Sequence, residues 1–185
     1  MRNVQIAGAL LAWGLAVTVT LTARPAVAGS EAAIDRDVSA ALTRMYDSVP
    51  NSRDLGGQAR GILVFPNVVK AGFLFGAQYG EGALRSQGRT TGYYNTVSAS
   101  YGLQAGVQVF GYALFFMSDS ALQYLNNSGG FELGTGPSIA ILDVGAARAL
   151  TTSTLQNDIY AVFFDQRGLM AGLGLQGTKI TRIDR

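Results

Sequence analysis

Histidine and cysteine are both absent from this 185-residue chain. Without histidine there is no Ser-His-Asp or Cys-His catalytic group, and a zinc site loses its commonest ligands. Without cysteine there is no disulfide framework and no lipid-modified N-terminal cysteine, so burial must hold the fold together. Lysine is reduced to Lys70 and Lys179. The acids left for general acid–base work (Asp119, Glu132, Asp143, Asp158 and Asp165) are scattered, with no motif that pairs them. The expectation is a protein that is not an enzyme and carries no metal and no cofactor. A carboxylate-dependent enzyme is the weakest of the readings.

A charge bias is missing as well. Within the first 28 residues, Arg2 supplies a positive start, Val4 to Thr22 is uncharged and mostly apolar, and Ala26-Val27-Ala28 is a small-x-small ending. That is the pattern of a secretory signal peptide over 1–28, cut before Gly29. A retained anchor is the alternative, because the apolar stretch approaches the about 20 residues that span a bilayer. Arg24-Pro25 and the A-x-A ending favour cleavage. The chain has 14 Lys+Arg and 12 Asp+Glu; two of the bases and none of the acids lie in the leader, so residues 29–185 are balanced. No nucleic-acid partner is expected, and any basic site must be a local patch. The expected location is periplasmic or secreted, with peripheral contact to an envelope membrane.

Glycine, by contrast, is present at about twice its usual share, with 24 residues. Much of it falls inside segments that read as strands, which points to a strongly bent sheet or barrel-like closure. From Gly29 to Asp47, Ile34, Val38, Ala41, Leu42 and Met45 share one face of a helix that Ser30 can cap. Its polar face mixes Asp35, Asp37 and Asp47 with Arg36 and Arg44, unlike the basic face of a lipid-surface helix. Packing against a sheet is the better reading. A second, shorter helix is expected over Asn51 to Arg60, weakened by Gly56-Gly57.

Strand signals follow at Ile62–Phe65, Val68–Phe75, Thr90–Ser100, Gly102–Gln108 and Val109–Met117. A short helix capped by Ser118-Asp119 runs through Leu125. Phe131–Val144 reads as a strand with an irregular start, Gly145–Leu155 is ambiguous, and Asp158–Phe164 with Gly168–Ile183 suggests a hairpin around Asp165. The expected class is α+β: a Gly-rich, strongly bent antiparallel sheet or barrel-like sandwich with N-terminal helices packed on it, one domain over 29–185. Gly172-Leu173-Gly174-Leu175-Gln176-Gly177 matches a dinucleotide fingerprint in letters only. The strand-like Thr178–Ile183 follows where a helix must start.

The stretch Ala59–Gly82, A-R-G-I-L-V-F-P-N-V-V-K-A-G-F-L-F-G-A-Q-Y-G-E-G, resembles the hallmark of the SYLF domain family. Gly102–Gln108 resembles that family's middle strand and Ile159–Gly177 its closing hairpin, in the same order. The resemblance implies a lipid-binding module. Eukaryotic members bind phosphoinositides and yeast relatives bind actin filaments, whereas bacterial members are stand-alone exported proteins, the kind this chain is similar to. It lacks a partner domain and a basic N-terminal helix, so phosphoinositide specificity and actin binding are not carried over.

Phospholipids or fatty acyl chains are the expected partners. Candidate head-group residues are Arg60, Lys70, Arg85 and Arg89, the bases nearest the hallmark, able to give charge-assisted hydrogen bonds to phosphate. Candidate apolar contacts are Phe65, Phe73, Phe75 and Tyr79, for which burial in the core is the competing reading. The other function class is an envelope assembly protein that forms homo-oligomers or meets an outer-membrane partner through Gly-rich strand edges.

Overall fold

The computed structural model describes residues 29–127, 130–133, 136–142, 147–148, 155–168, 175 and 177–184, with some strand side chains left out. Residues 1–28, the expected signal peptide, and most of Gly172–Gly177 lie outside them. The spacing of Ile34, Val38, Ala41 and Met45 becomes the buried stripe of helix α1 (Glu31–Ser48). The Ser30 hydroxyl accepts from the Ala33 amide, and Glu31 lies at the positive helix end. Helix α2 (Ser52–Gln58) follows after Asn51, whose φ of 58° turns the chain sharply.

What reads as several strands in the sequence is two. Strand β1 (Gly61–Ser86) and strand β2 (Arg89–Phe116) form one antiparallel hairpin closed by Gln87-Gly88. Both turn residues have positive φ, 51° and 75°, the two-residue geometry whose twist matches the flanking strands. The hairpin is broken by bulges. At Pro66-Asn67 the pairing jumps from Phe65–Tyr112 to Val68–Phe110, and at the midpoint residue 73 stands opposite 103–105.

At that midpoint the hairpin doubles over. A Cβ on Gly72 would come within 2.5 Å of the Gly76 Cα, so only glycine fits inside the bend. The returning limb brings Gly80 and Gly82 against the backbone of Val64–Val68; a Cβ on Gly82 would enter the Val64 carbonyl oxygen. The gaps that glycine leaves in this sheet are therefore filled by the strand's own backbone.

Helix α3 (Asp119–Asn127) comes next, then β3 (Gly130–Glu132), β4 (Ile139–Leu142), β5 (Ile159–Gly168) and β6 (Lys179–Ile183). Strand β2 is shared. Besides β1 it pairs with β5 along Gln108–Phe116 and with β6 along Tyr93–Val97. Strand β3 extends the sheet beyond β6, and β4 beyond β5. The sheet is open and mixed, since β4 runs parallel to β5, whereas an all-antiparallel sheet is the sequence expectation. The expected hairpin around Asp165 is also replaced: among the described residues β5 and β6 pair with β2 and not with each other. Strand β5 instead bulges there, with Asp165 at a φ of 52°.

Two apolar clusters result. Between the limbs lie Leu63, Phe65, Val68, Leu84, Tyr94, Phe110, Tyr112, Leu114 and Phe116 with Ile159, Phe163 and Ile180, closed at one end by Ala121 and Leu125 of α3. The Phe65 and Tyr112 rings are 4.9 Å apart and Tyr112 and Phe163 5.7 Å, spacings at which tilted aromatic pairs attract. On the outer face, α1 and α2 cover Ile62, Val64, Ala83, Ala113, Phe115, Tyr160, Val162 and Phe164. Asp35 is the polar anchor of α1: its carboxylate accepts from the hydroxyls of Thr90 (2.6 Å) and Tyr93 (3.2 Å). Arg44 adds a 2.6 Å ion pair to Asp165 at the β5 bulge.

Candidate functional site

The Pro66-Asn67 bulge reverses which residues face outward. Before it, odd-numbered Leu63 and Phe65 point into the core and even-numbered Ile62 and Val64 meet the helices. After it, Val68 points inward, while Val69, Ala71, Phe75, Ala77 and Tyr79 are exposed at a period of two. Strand β2 contributes Val97, Ala99 and Val107 to the same side, through the register pairs Tyr79–Val97, Ala77–Ala99 and Ala71–Val107. Every one of these residues is apolar or aromatic. Phe75 is 71% exposed and Val107 57%.

This stripe continues the face that α1 and α2 cover elsewhere. Where the cover stops, a groove of ≈ 440 Å³ opens between the start of α1 and the bulge. Its walls are Gly29, Ala33, Ile34 and Asp37 on one side and Pro66, Asn67, Val69, Tyr79, Gly80 and Glu81 on the other. Behind the stripe the interior turns polar: Gln78, Thr96, Gln108 and Thr178 are buried, and the Tyr112 hydroxyl donates to Thr96 at 2.6 Å. Burial pushes the Tyr112 phenol well above its ordinary range, so it stays a donor.

A second groove, ≈ 600 Å³, lies at the other end, between α1, α2 and the hairpin turn. Two of the four candidate head-group residues, Arg60 and Arg85, line it. Arg85 is only 19% exposed in its side chain; its Nη2 donates to the Asp35 carbonyl and the Ser39 hydroxyl, and it pairs with the Asp35 carboxylate at 3.6 Å. Its buried Nε has no hydrogen-bond partner. Arg60 is exposed and stands 3.6 Å from Asp119. Arg89 is exposed beside the turn, and Lys70 is half-buried in β1, next to the stripe. At a strand rise of ~3.3 Å per residue, roughly 35 Å of contour separates Arg60 from Ala71.

The candidate apolar residues divide in the same way. Phe75 and Tyr79 belong to the stripe, Phe65 is fully buried in the core, and the Phe73 side chain is outside the described set. Phe65 therefore packs and does not reach a ligand. Sequence reasoning misses Val69, Ala71, Ala77, Val97, Ala99 and Val107. The signal for those in β1 is alternation with Gly72, Gly76, Gln78 and Gly80, visible once the bulge fixes the phase. Of the scattered acids, Asp158 ties α3 to β4: it accepts from the Ser138 hydroxyl (2.9 Å), the Ser138 amide (3.2 Å) and the Ser118 hydroxyl (3.1 Å). The two Ser138 bonds above all hold its carboxyl below the usual range, against the opposing effect of burial, and the Ser118 bond adds to them. Asp143 is outside the described residues. No group of three or more metal-binding carboxylates occurs among those described.

Residues 97–184 match a protein-family model, Ysc84, described as Las17-binding protein actin regulator. That match supports membership of the SYLF domain family. The match begins inside β2 and runs through β6. It takes in Gly102–Gln108 and Ile159–Gly177 and leaves out the opening block Ala59–Gly82. No curated protein matches the chain. A lipid- or actin-binding type of domain is what membership supports. No helix among the described residues is long and apolar enough to cross a membrane.

Proposed function

We propose that this protein is an exported, non-catalytic module that binds lipid at the surface of an envelope membrane. The supporting observation is the uncovered part of the outer sheet face formed by Val69, Ala71, Phe75, Ala77 and Tyr79 of β1 and by Val97, Ala99 and Val107 of β2. Elsewhere the same face is apolar because α1 and α2 bury it. Here the residues are equally apolar and no described element lies over them. Contiguous exposed apolar area of this kind marks an interaction surface. A bilayer can accept Phe75, Val107 and their neighbours into its acyl boundary while the adjoining groove takes part of a chain. Lys70, next to the stripe, supplies a cation near the head groups. Arg60 and Arg89 lie at the far end of the hairpin and serve at most a second contact. Arg85 anchors α1 instead.

The test is co-sedimentation of the protein with neutral and with anionic vesicles, for the native chain and for Phe75→Asp. Moving one Phe side chain out of water is worth about 1.5–3 kcal/mol, so the variant should bind vesicles about ten-fold more weakly or worse. Its melting temperature should stay unchanged, because Phe75 is exposed. If neither vesicle type brings the protein down, and light scattering shows a stable oligomer that Phe75→Asp dissociates, the stripe joins copies of the chain and the lipid reading is wrong.

A further inference from the structure

The backbone nitrogen of Gly29 donates to Glu81 Oε2 at 3.1 Å, across 52 positions of sequence. The other carboxylate oxygen, Oε1, accepts from the Tyr79 hydroxyl at 2.8 Å, which fixes the orientation of the group. Gly29 is also the residue that follows Ala26-Val27-Ala28. We propose that cleavage after Ala28 makes Gly29 the working N-terminus, and that its new ammonium forms an ion pair with Glu81 that fastens the start of α1 to the returning limb of β1.

The surroundings favour a cation at this point. The ionisable groups lining the groove are Asp37, Tyr79 and Glu81, and no base is among its lining residues. Asp37 shares its charge with Arg36, 3.4 Å away on the exposed side. Glu31, in the first turn of α1, adds a further negative charge two residues on. In the uncut chain, Gly29 offers Glu81 a single amide N–H. An ammonium offers three donors and a full charge, and charge-assisted bonds are about twice as strong. One effect opposes the pair, because the positive end of the α1 dipole disfavours a cation beside it. That effect amounts to about half a charge spread over a turn, and a carboxylate in hydrogen-bond contact outweighs it.

The pair gives the α-amine a raised pKa in the folded protein. Its unfolded value is about 7.7–8.0, and an opposite charge in contact favours the protonated form. Stability from the pair is therefore complete below pH ~7.7 and is lost as pH rises through the raised folded value. Processing thus turns a single hydrogen bond of the precursor into an ion pair, at the edge of the proposed lipid-binding stripe.

The full chain is expressed in an exporting bacterial host and recovered from outside the cytoplasm. N-terminal sequencing should read Gly-Ser-Glu-Ala-Ala. The α-amine is then titrated through the pH dependence of its reaction with cyanate, followed by peptide mass. A midpoint about one unit above the ordinary 7.7–8.0 is expected, returning to that range or below it in Glu81→Gln. A mature end at any other residue overturns the proposal. So does an α-amine that titrates at or below the ordinary range with Glu81 in place, or a raised value that Glu81→Gln leaves unmoved.

Discussion

Replacing Gly82 by alanine should destabilise the protein by about 3 kcal/mol, the upper end of what overpacking a core costs. The position has no unusual φ, so alanine can adopt the backbone conformation and the loss is purely one of space. The added methyl would enter the Val64 carbonyl oxygen and lie 2.8 Å from the Phe65 ring. Neither neighbour can give way cheaply. Val64 is held in the β1–β2 ladder opposite Ala113, and Phe65 is packed against Tyr112. The two limbs of the hairpin must then separate, which opens the inner cluster at its centre. For a domain of this size, 1 kcal/mol moves the melting temperature by about 2–4 °C, so a fall of about 6–12 °C is expected by calorimetry or circular dichroism. Gly57→Ala is the matched control, since a Cβ there meets nothing within 4 Å. It removes a helix glycine and should stabilise by about 0.5–1 kcal/mol. If Gly82→Ala melts within a degree or two of the native chain, the limbs do not pack backbone to backbone and the doubled-over hairpin is wrong.

Tyr112→Phe removes the donor that the fully buried Thr96 hydroxyl receives at 2.6 Å and should cost about 1–2 kcal/mol. Combined with Thr96→Val, the total loss should fall short of the sum of the two single changes by at least about 0.5 kcal/mol; additive losses in urea melts would remove the bond from the account. Asp158 has a depressed carboxyl pKa in the folded state. Its stabilisation is therefore present above the unfolded pKa of about 3.9 and disappears as pH falls through the lower folded value. Melting temperatures measured from pH 5 to pH 2 should fall less steeply for Asp158→Asn than for the native chain, and equal slopes would count against the Ser138 and Ser118 bonds.

Local periodicity makes α1 legible in the sequence, because Ile34, Val38, Ala41 and Met45 are buried by one nearby surface. The start of α3 is legible through Ser118, whose hydroxyl accepts from the Ala121 amide. The length of the hairpin is not. Gly72, Gly76 and Gly80 look like interruptions, yet the strand continues through them because its own returning limb needs their missing side chains. Pairing between distant segments leaves no local mark, which is why β5 and β6 read as partners of each other instead of as two partners of β2. The site is half legible for the same reason. Phe65 and Phe75 are indistinguishable as letters, and the two-residue bulge at Pro66-Asn67 decides that the core covers one and water meets the other. Arg85 looks like an open cation beside the hallmark until α1 brings Asp35 and Ser39 to it.

Because one strand serves as the common partner of three others, order of arrival matters while the chain is being made. The hairpin up to Phe116 emerges from the ribosome well before Ile159–Gly168, the segment that will lie along its far margin. In that interval the run Tyr112–Phe116, aromatic and aliphatic on both sides, presents unpaired amides to any neighbouring nascent chain. Intermolecular pairing at such a margin is a known route to aggregation. Shortened versions ending after α3 would therefore gather into insoluble material instead of forming a smaller soluble unit.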